Sequence, residues 1–354
     1  MNLKKFIDTH AEWLNNTGAH GDIVISTRVR LARNIEGIPF THCAKGVELD
    51  KVILQVKEAV KNNPYLTNSI MIELNQVNDL VKQLLVERHL ISRELAEGKK
   101  GVVFIGDKEM VNIMVNEEDH LRIQTFSSGL ESVTTWQIID RIDDELSKYL
   151  KYAYSLNCGY LTACPTNVGT GMRISVMIHL PALNITKQIR KILHALSQIG
   201  LAIRGLYGEG TEALGNFFQI SNQVTLGRSE QEIIDNTEKI TNQIIENEER
   251  AREILMKENR VQLEDQIMRA YATLGYARVI SSKETLELLS LVRLGVGMGL
   301  LKQVSLKSIN ELLVLSQPAH IQLLAGEIMT NPARDVKRAS IIQEKLIRSN
   351  EKNV

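Results

Sequence analysis

The sequence predicts a mixed fold: strands and helices together over roughly the first two thirds, then a region built almost only of helices. Three observations predict it. Several short segments alternate apolar and polar residues with a period of two, as half-buried strands do. Others repeat apolar residues at i, i+3, i+4 and i+7, as amphipathic helices do. After Ser229 the strand-like alternation stops, polar faces lengthen, and only Pro318 and Pro332 interrupt the chain.

The elements follow in order. Asp22 to Leu31 alternates as a strand, with Ser26, Arg28 and Arg30 on one side and Thr27, Val29 and Leu31 on the other; Arg33 falls in the next turn. Helices are predicted over Val47–Val60 and Val77–Leu90, and strands over Val102–Ile105, Met110–Asn116 and Leu121–Phe126. The acidic group at Glu117 to His120 therefore lies in a turn between two strands. Ser132–Tyr152 reads as a helix. Met172–Leu180 is the clearest strand: Ile174, Val176, Ile178 and Leu180 form one face, and Arg173, Ser175, Met177 and His179 the other. Ala182–Ile199 follows as one amphipathic helix on Ile189, Ile192, Leu193 and Leu196, and Asn216–Thr225 as another strand. Ser229 and Glu232 form a capping-box signature that opens the helical region. The boundary is placed near residue 255, giving regions 1–254 and 255–354.

Bulk properties exclude several classes. With 42 basic and 42 acidic residues the formal charge is zero, which argues against a protein that coats nucleic acid or an anionic membrane, and no nucleic-acid reader motif is present. Cys43, Cys158 and Cys164 show neither a CxxC pair nor metal-ligand spacing, so no disulfide framework is expected and a reducing, cytoplasmic setting fits. The first residues, Met1 to Asp8, lack the apolar run of a signal peptide, and no stretch is long enough to span a bilayer.

The chain lacks a G-x-x-x-x-G-K-[ST] loop, a Rossmann fingerprint and the HRD and DFG motifs. Gly169-Thr170-Gly171 is too short to signify alone. What it offers for phosphate is arginine. Arg28, Arg30, Arg122, Arg173 and Arg204 each sit on a predicted strand or at a turn, where planar guanidinium groups can grip phosphate oxygens in pairs. Surface ion pairs would use the same residues. The carboxylates Glu117, Glu118 and Asp119 read equally as a solvated turn or as a general base beside a cationic substrate. Glu209, at the end of the glycine-containing turn Gly205-Leu206-Tyr207-Gly208-Glu209, is a second candidate carboxylate. Cys164 reads as a small buried residue or as a thiolate near arginines.

Four segments in order resemble the phosphagen (guanidino) kinase family: Ser26-Thr27-Arg28-Val29-Arg30, Asn116-Glu117-Glu118-Asp119-His120-Leu121-Arg122, Cys164 to Arg173, and Arg204 to Glu209. The resemblance covers roughly residues 20 to 250. It implies an α+β fold, an antiparallel catalytic sheet flanked by helices, followed by a helical C-terminal domain. It implies that ATP with Mg²⁺ is the phosphoryl donor. It assigns ATP contacts to Ser26, Thr27, Arg28, Val29, Arg30, His89, Arg122, Arg173, Ile174, Ser175, Val176, Met177, Arg204, Gly205, Leu206, Tyr207, Gly208 and Glu209. It implies that Glu118 is the catalytic base, that Glu209 is the second guanidinium-binding carboxylate, and that Cys164 is the reactive cysteine beside the guanidino group.

Two departures narrow the expectation. Family members acting on small guanidino compounds carry a helical domain in front of the catalytic one, whereas here Ser26 to Arg30 arrives almost at once. The resemblance then implies an open site that accepts arginine on a protein. The segment Gln219 to Gly227 also lacks the acidic residue the family usually has before Ser-Asn. Within the family the chain is similar to the bacterial protein arginine kinases, whose tail carries an RDxxRA motif for phosphoarginine, here Arg334-Asp335-Val336-Lys337-Arg338-Ala339. Arg334 and Arg338, at i and i+4 on a helix after Pro332, can share a face. That resemblance implies a homodimer, a zinc-binding McsA-like activator, substrates including a CtsR-like heat-shock repressor and misfolded proteins, and marking for a ClpC–ClpP protease. The rival readings are a free-arginine or small-guanidino kinase and a non-catalytic phosphoarginine-binding adaptor.

Overall fold

A computed structural model describes residues 11–351, apart from 99, 199 and 206–213. Its centre is an eight-stranded antiparallel sheet. The strands are β1 (Val24–Arg33), β2 (Ile70–Glu73), β3 (Val102–Ile105), β4 (Val111–Val115), β5 (Leu121–Ser128), β8 (Met172–His179), β9 (Leu201–Gly205) and β10 (Phe217–Asn222), with a small separate hairpin β6 (Tyr154–Ser155) and β7 (Gly159–Tyr160). The spatial order is β2-β3-β4-β5-β1-β8-β10-β9, so β1 lies in the middle between β5 and β8.

Pairing register decides what the sheet displays. Arg28 stands opposite Phe126 on one side and Ser175 on the other; Arg30 stands opposite Gln124 and Arg173. Residues opposite one another in antiparallel strands share a face. The alternation read in β1 and β8, carried onto β5 by this register, therefore adds up to one polar face across the sheet and one apolar face behind it. Val29, Leu31, Ile123 and Ile174 on the apolar face pack with Val52 and Val56 of helix α1 (Gly46–Asn62) and with Ile139 and Ile142 of the helix Ser132–Ser147, which is α4 after α2 (Asp79–Glu87) and α3 (Arg93–Glu97).

Three predicted helices are shorter than their apolar periodicity. α2 starts where the Asn78 side chain accepts from Val81 N and stops at Glu87, because His89 takes a left-handed φ of 60°. α4 ends at Ser147, and the chain turns back so that Tyr152 bridges to Ile35 and its hydroxyl donates to Asp143 at 2.9 Å. The segment predicted as one helix from Ala182 splits into α5 (Pro181–Ile185) and α6 (Ile189–Gln198), parted by Lys187 at φ 61°. Periodicity sees the apolar face of each segment but not the single left-handed residue that breaks two of them.

Helix α7 (Glu230–Glu258) opens on the predicted capping box: Glu232 N donates to Ser229 Oγ and Ser229 N to Glu232. It runs on beyond residue 255. α8 (Arg260–Tyr276), α9 (Ser282–Gly297), α10 (Leu306–Leu315), α11 (Pro318–Ala325) and α12 (Asn331–Glu351) complete the helical part. One apolar core joins it to the sheet: Val176, Ile178 and Phe217 cluster with Ile244 of α7, Ile267 of α8 and Leu289 of α9.

Candidate active site

A cleft of about 1140 Å³ lies on the polar face of the sheet. Arg28, Arg30, Arg122, Arg173 and Arg204 all line it, from four strands. Arg33 does not. It is the last residue of β1 rather than part of a turn, it is buried, and its guanidinium donates to Asp143 at 2.9 and 2.7 Å and covers the Tyr160 ring at 3.6 Å. It pins the sheet to α4 and is not available to a ligand.

The cleft arginines crowd one another. Burial, then Arg122, Arg204 and Arg173, lower the Arg28 pKa to about 9. Burial, then Arg28, Arg122 and Arg173, push Arg30 well down, against a small opposing effect of Glu117. Arg30 Nε is buried with no hydrogen-bond partner among the described residues. Like charges held together around an unanswered donor fit a polyanion such as a nucleotide triphosphate, which would neutralise them.

The same alternation divides the expected ATP contacts. Ser26, Arg28, Ser175 and Met177 line a small enclosed space beside the cleft, and His89 borders both. Thr27, Val29, Ile174 and Val176 point to the other side. Val29 and Ile174 lie in the core behind the sheet, Val176 joins the core shared with the helices, and the Thr27 hydroxyl donates to Gly129 O at 2.7 Å. They hold the strands and do not face the cleft. Gly205 ends β9, whereas Leu206, Tyr207, Gly208 and Glu209 lie outside the described residues.

His89 lines the cleft beside Arg28. Its ring meets Trp13 edge-on at 5.8 Å, and Trp13 stacks on Phe126 at 6.1 Å. Burial and then Arg28 push the His89 pKa down to about 3, so the ring is neutral.

The acidic turn resolves into three different roles. Glu117 is tied to Arg122 by an ion pair. Burial pushes its pKa up, but Arg122 and hydrogen bonds from Ser92, the Glu118 backbone and Arg122 outweigh this and hold it below the usual range. Asp119 is buried and accepts from Asn34 Nδ2 and from Ala163 N, both at 2.6 Å. Glu118 is the exposed member of the three and faces the cleft. Partial burial, then Asp119 and Glu117, raise its pKa, while Arg122 and a hydrogen bond with Cys164 lower it. The thiol of Cys164 also lies 3.0 Å from Thr166 Oγ1. The crowding of carboxylates noticed in the sequence is real, but two of the three are engaged and one is presented.

Asn34 escaped sequence reasoning, and it holds this turn in place. It accepts from His120 N at 2.9 Å and donates to Asp119 and to Leu161 O at 3.0 Å. It thereby fixes the Glu118 turn to the segment leading into Cys164. His120, a neutral ring, accepts from Ile35 N at 3.0 Å and donates to Pro39 O at 2.8 Å. The Cys164 loop is held from the other side by Thr225, whose hydroxyl lies 2.9 Å from Thr166 O and 2.7 Å from Val168 O. Gly169, at φ 110°, is needed there, since a Cβ would come within 2.6 Å of Thr225 O.

In the tail, Arg334 and Arg338 part company. Arg338 is buried: Nε donates to Ser316 O and Nη1 to Ile280 O, both at 2.8 Å, with an ion pair to Asp335. Arg334 is half-buried and its guanidinium donates to the Asn331 side chain. Ala339 is buried. The two arginines lie one turn apart on α12 but do not open onto a common surface.

The family described as ATP:guanido phosphotransferase, C-terminal catalytic domain, matches residues 51–251, and the one described as protein-arginine kinase McsB C-terminal domain matches residues 260–354. A protein-arginine kinase of Brevibacillus brevis is 48% identical over 353 residues, 98% of each chain. That of Bacillus subtilis is 43% identical over 349 residues, 98% of this chain and 96% of its own. Among solved structures, the duplicated taurocyamine kinase of Schistosoma mansoni aligns with a TM-score of 0.60 at 26% identity, over 66% of this chain and 34% of that longer one. Lombricine kinase aligns at 0.58 and 23% identity, over 68% of this chain and 71% of its own, which shows a shared fold. With both family matches and relatives similar across nearly its whole length, the chain belongs to the protein-arginine kinase family of ATP:guanido phosphotransferases.

Proposed function

We propose that the chain transfers the γ-phosphoryl group of ATP to the guanidino group of an arginine on a protein. The observation that carries this is the meeting of five arginines and one presented carboxylate, Glu118, in a single cleft. ATP is the donor of this family. Arg28, Arg30, Arg122, Arg173 and Arg204 hold its phosphates and His89 borders the base, while Mg²⁺ brought with the nucleotide would add to the neutralisation of phosphate charge. A guanidinium is a poor nucleophile because its pKa lies above about 12. Glu118 orients it and takes the proton. The nitrogen forms its bond to the γ-phosphorus as the bond to the bridging β-oxygen breaks, and the electron pair leaves with ADP. Cys164, hydrogen-bonded to Glu118, tunes that carboxylate. Glu209 would supply the second carboxylate for the substrate.

Further parts of the proposal rest on family likeness. Arg334, Asp335, Arg338 and Ala339 belong to a phosphoarginine-responsive segment in which the half-buried Arg334 is the accessible cation and the buried Arg338 fixes the helix that carries it. The enzyme works in the cytoplasm as a homodimer with a zinc-binding McsA-like activator. It marks misfolded proteins for a ClpC–ClpP protease and inactivates a CtsR-like repressor. The deciding experiment is mass spectrometry of an acceptor protein incubated with ATP and Mg²⁺, under conditions that preserve the P–N bond. Phosphoarginine that vanishes with Glu118→Ala supports the reading. Phosphate found only on free arginine would replace it with a small-guanidino kinase.

A further inference from the structure

His89 is the third of three consecutive residues, each tied to a different element. Glu87, the last residue of α2, is buried, and its carboxylate lies against the N-terminus of α11. It accepts from Ala319 N at 2.9 and 3.1 Å and from His320 N at 3.2 Å. Arg88 donates to Glu109 at 2.7 Å. His89 O accepts from Gln124 Nε2 at 2.7 Å, and Gln124 is the strand partner of Arg30.

The buried ring of His320 closes the arrangement. Its Nδ1 is 3.2 Å from Glu87 and its Nε2 is 3.3 Å from Arg88 Nη1. One neutral tautomer satisfies both contacts: Nδ1–H donates to the carboxylate and Nε2 accepts from the guanidinium. A helix start has unpaired N–H groups that a carboxylate answers well. Here the helix belongs to the C-terminal part, and the carboxylate lies two residues from the ring that borders the cleft. Only Arg88 separates the two, and His89 itself takes the left-handed conformation just past the end of α2. Upstream of α11, Ser316 O is held by Arg338.

We propose that Glu87 is a positioning residue for nucleotide binding: by clasping the start of α11 it sets His89 against the cleft and makes ATP affinity depend on how the C-terminal helices are seated. The proposal rests on the reading of the cleft as the ATP site. Glu87 touches no reacting atom, so it acts on binding and not on the transfer step.

Steady-state kinetics of the full-length enzyme at saturating protein acceptor test it. Glu87→Ala and His320→Ala are each expected to raise the KM for ATP about tenfold with kcat changed less than about threefold, and the double variant to be no worse than either single one. Glu87→Gln, which keeps an acceptor oxygen, should recover part of the loss. A purely structural role would lower the yield of folded enzyme and leave the KM for ATP unchanged, and that result overturns the proposal. If the variants do not fold, hydrogen exchange on the unmodified protein decides. Saturating ATP with Mg²⁺ should slow exchange at the Ala319 and His320 amides as well as in β1 and β5. Protection confined to the strands overturns the clasp alone. Protection in neither place overturns the ATP reading of the cleft, and the clasp with it.

Discussion

Replacing Arg28 by methionine should stabilise the ligand-free protein and weaken its response to nucleotide. In the cleft Arg28 has a pKa of about 9 in place of 12.5, with burial the first cause and three neighbouring arginines the rest. Taken in full, that difference corresponds to about 5 kcal/mol of unfavourable environment for the cation at neutral pH. Water and salt reach a half-buried side chain at a cleft wall, and screening leaves about 1–2 kcal/mol. Methionine gives up the 3.3 Å bond to Ser175 and the contact with Phe126 at 5.7 Å, together ~0.5–1 kcal/mol. The ligand-free variant should therefore gain up to about 1 kcal/mol in urea unfolding. ATP should behave oppositely. At a hundred times its Kd it stabilises the unmodified protein by about 2.7 kcal/mol, and losing one charge-assisted phosphate contact should cut that to roughly 1 kcal/mol or less. A variant that is less stable without ligand by more than about 1 kcal/mol, or that keeps the full ATP stabilisation, would refute the idea that Arg28 is held under strain for a polyanion.

Other outcomes follow from the same geometry. Glu118→Gln should lower kcat by about 10²–10⁴-fold. Because the folded-state pKa of Glu118 is raised, its ionisation destabilises the fold as pH rises through that range. The Gln variant should thus match the unmodified protein near pH 4 and melt higher at pH 7, which thermal melts at the two pH values check. Asn34→Ala removes three hydrogen bonds around the Glu118 turn, two of them fully buried. It should cost about 2–3 kcal/mol in urea unfolding and also depress kcat of the folded enzyme; intact kcat would show that Glu118 needs no such support. Arg338→Ala strands two carbonyls and a carboxylate and should cost about 3–5 kcal/mol, whereas Arg334→Ala should stay within about 0.5 kcal/mol.

Where local rules sufficed, the sequence was legible. A period of two located β1 and β8 and put Arg28 and Arg30 on one side, since that choice depends only on neighbouring residues. The same rule removes Thr27, Val29, Ile174 and Val176 from the cleft, although family likeness had grouped them with their neighbours. What stayed hidden depends on distant partners. Nothing near Arg33 announces Asp143, 110 residues on, or near Asn34 announces Asp119, 85 residues on. Glu117, Glu118 and Asp119 are equivalent as letters and become distinct only when Arg122, Ala163 and Asn34 claim two of them. The same holds for Glu87, an unremarkable helix-end carboxylate until α11 arrives from 232 residues away.

The 29-residue helix α7 has its own consequence. Its first turns, through Ile233 and Ile234, belong to the core behind the sheet, and its later turns, from Ile240 to Leu255, to the core shared with the C-terminal helices. Because one helix contributes to both cores, loss of either core removes packing that holds the other. The two parts should therefore unfold together, in a single calorimetric transition, despite matching two separate families. For the same reason, trimming the tail would expose the flank of the catalytic sheet.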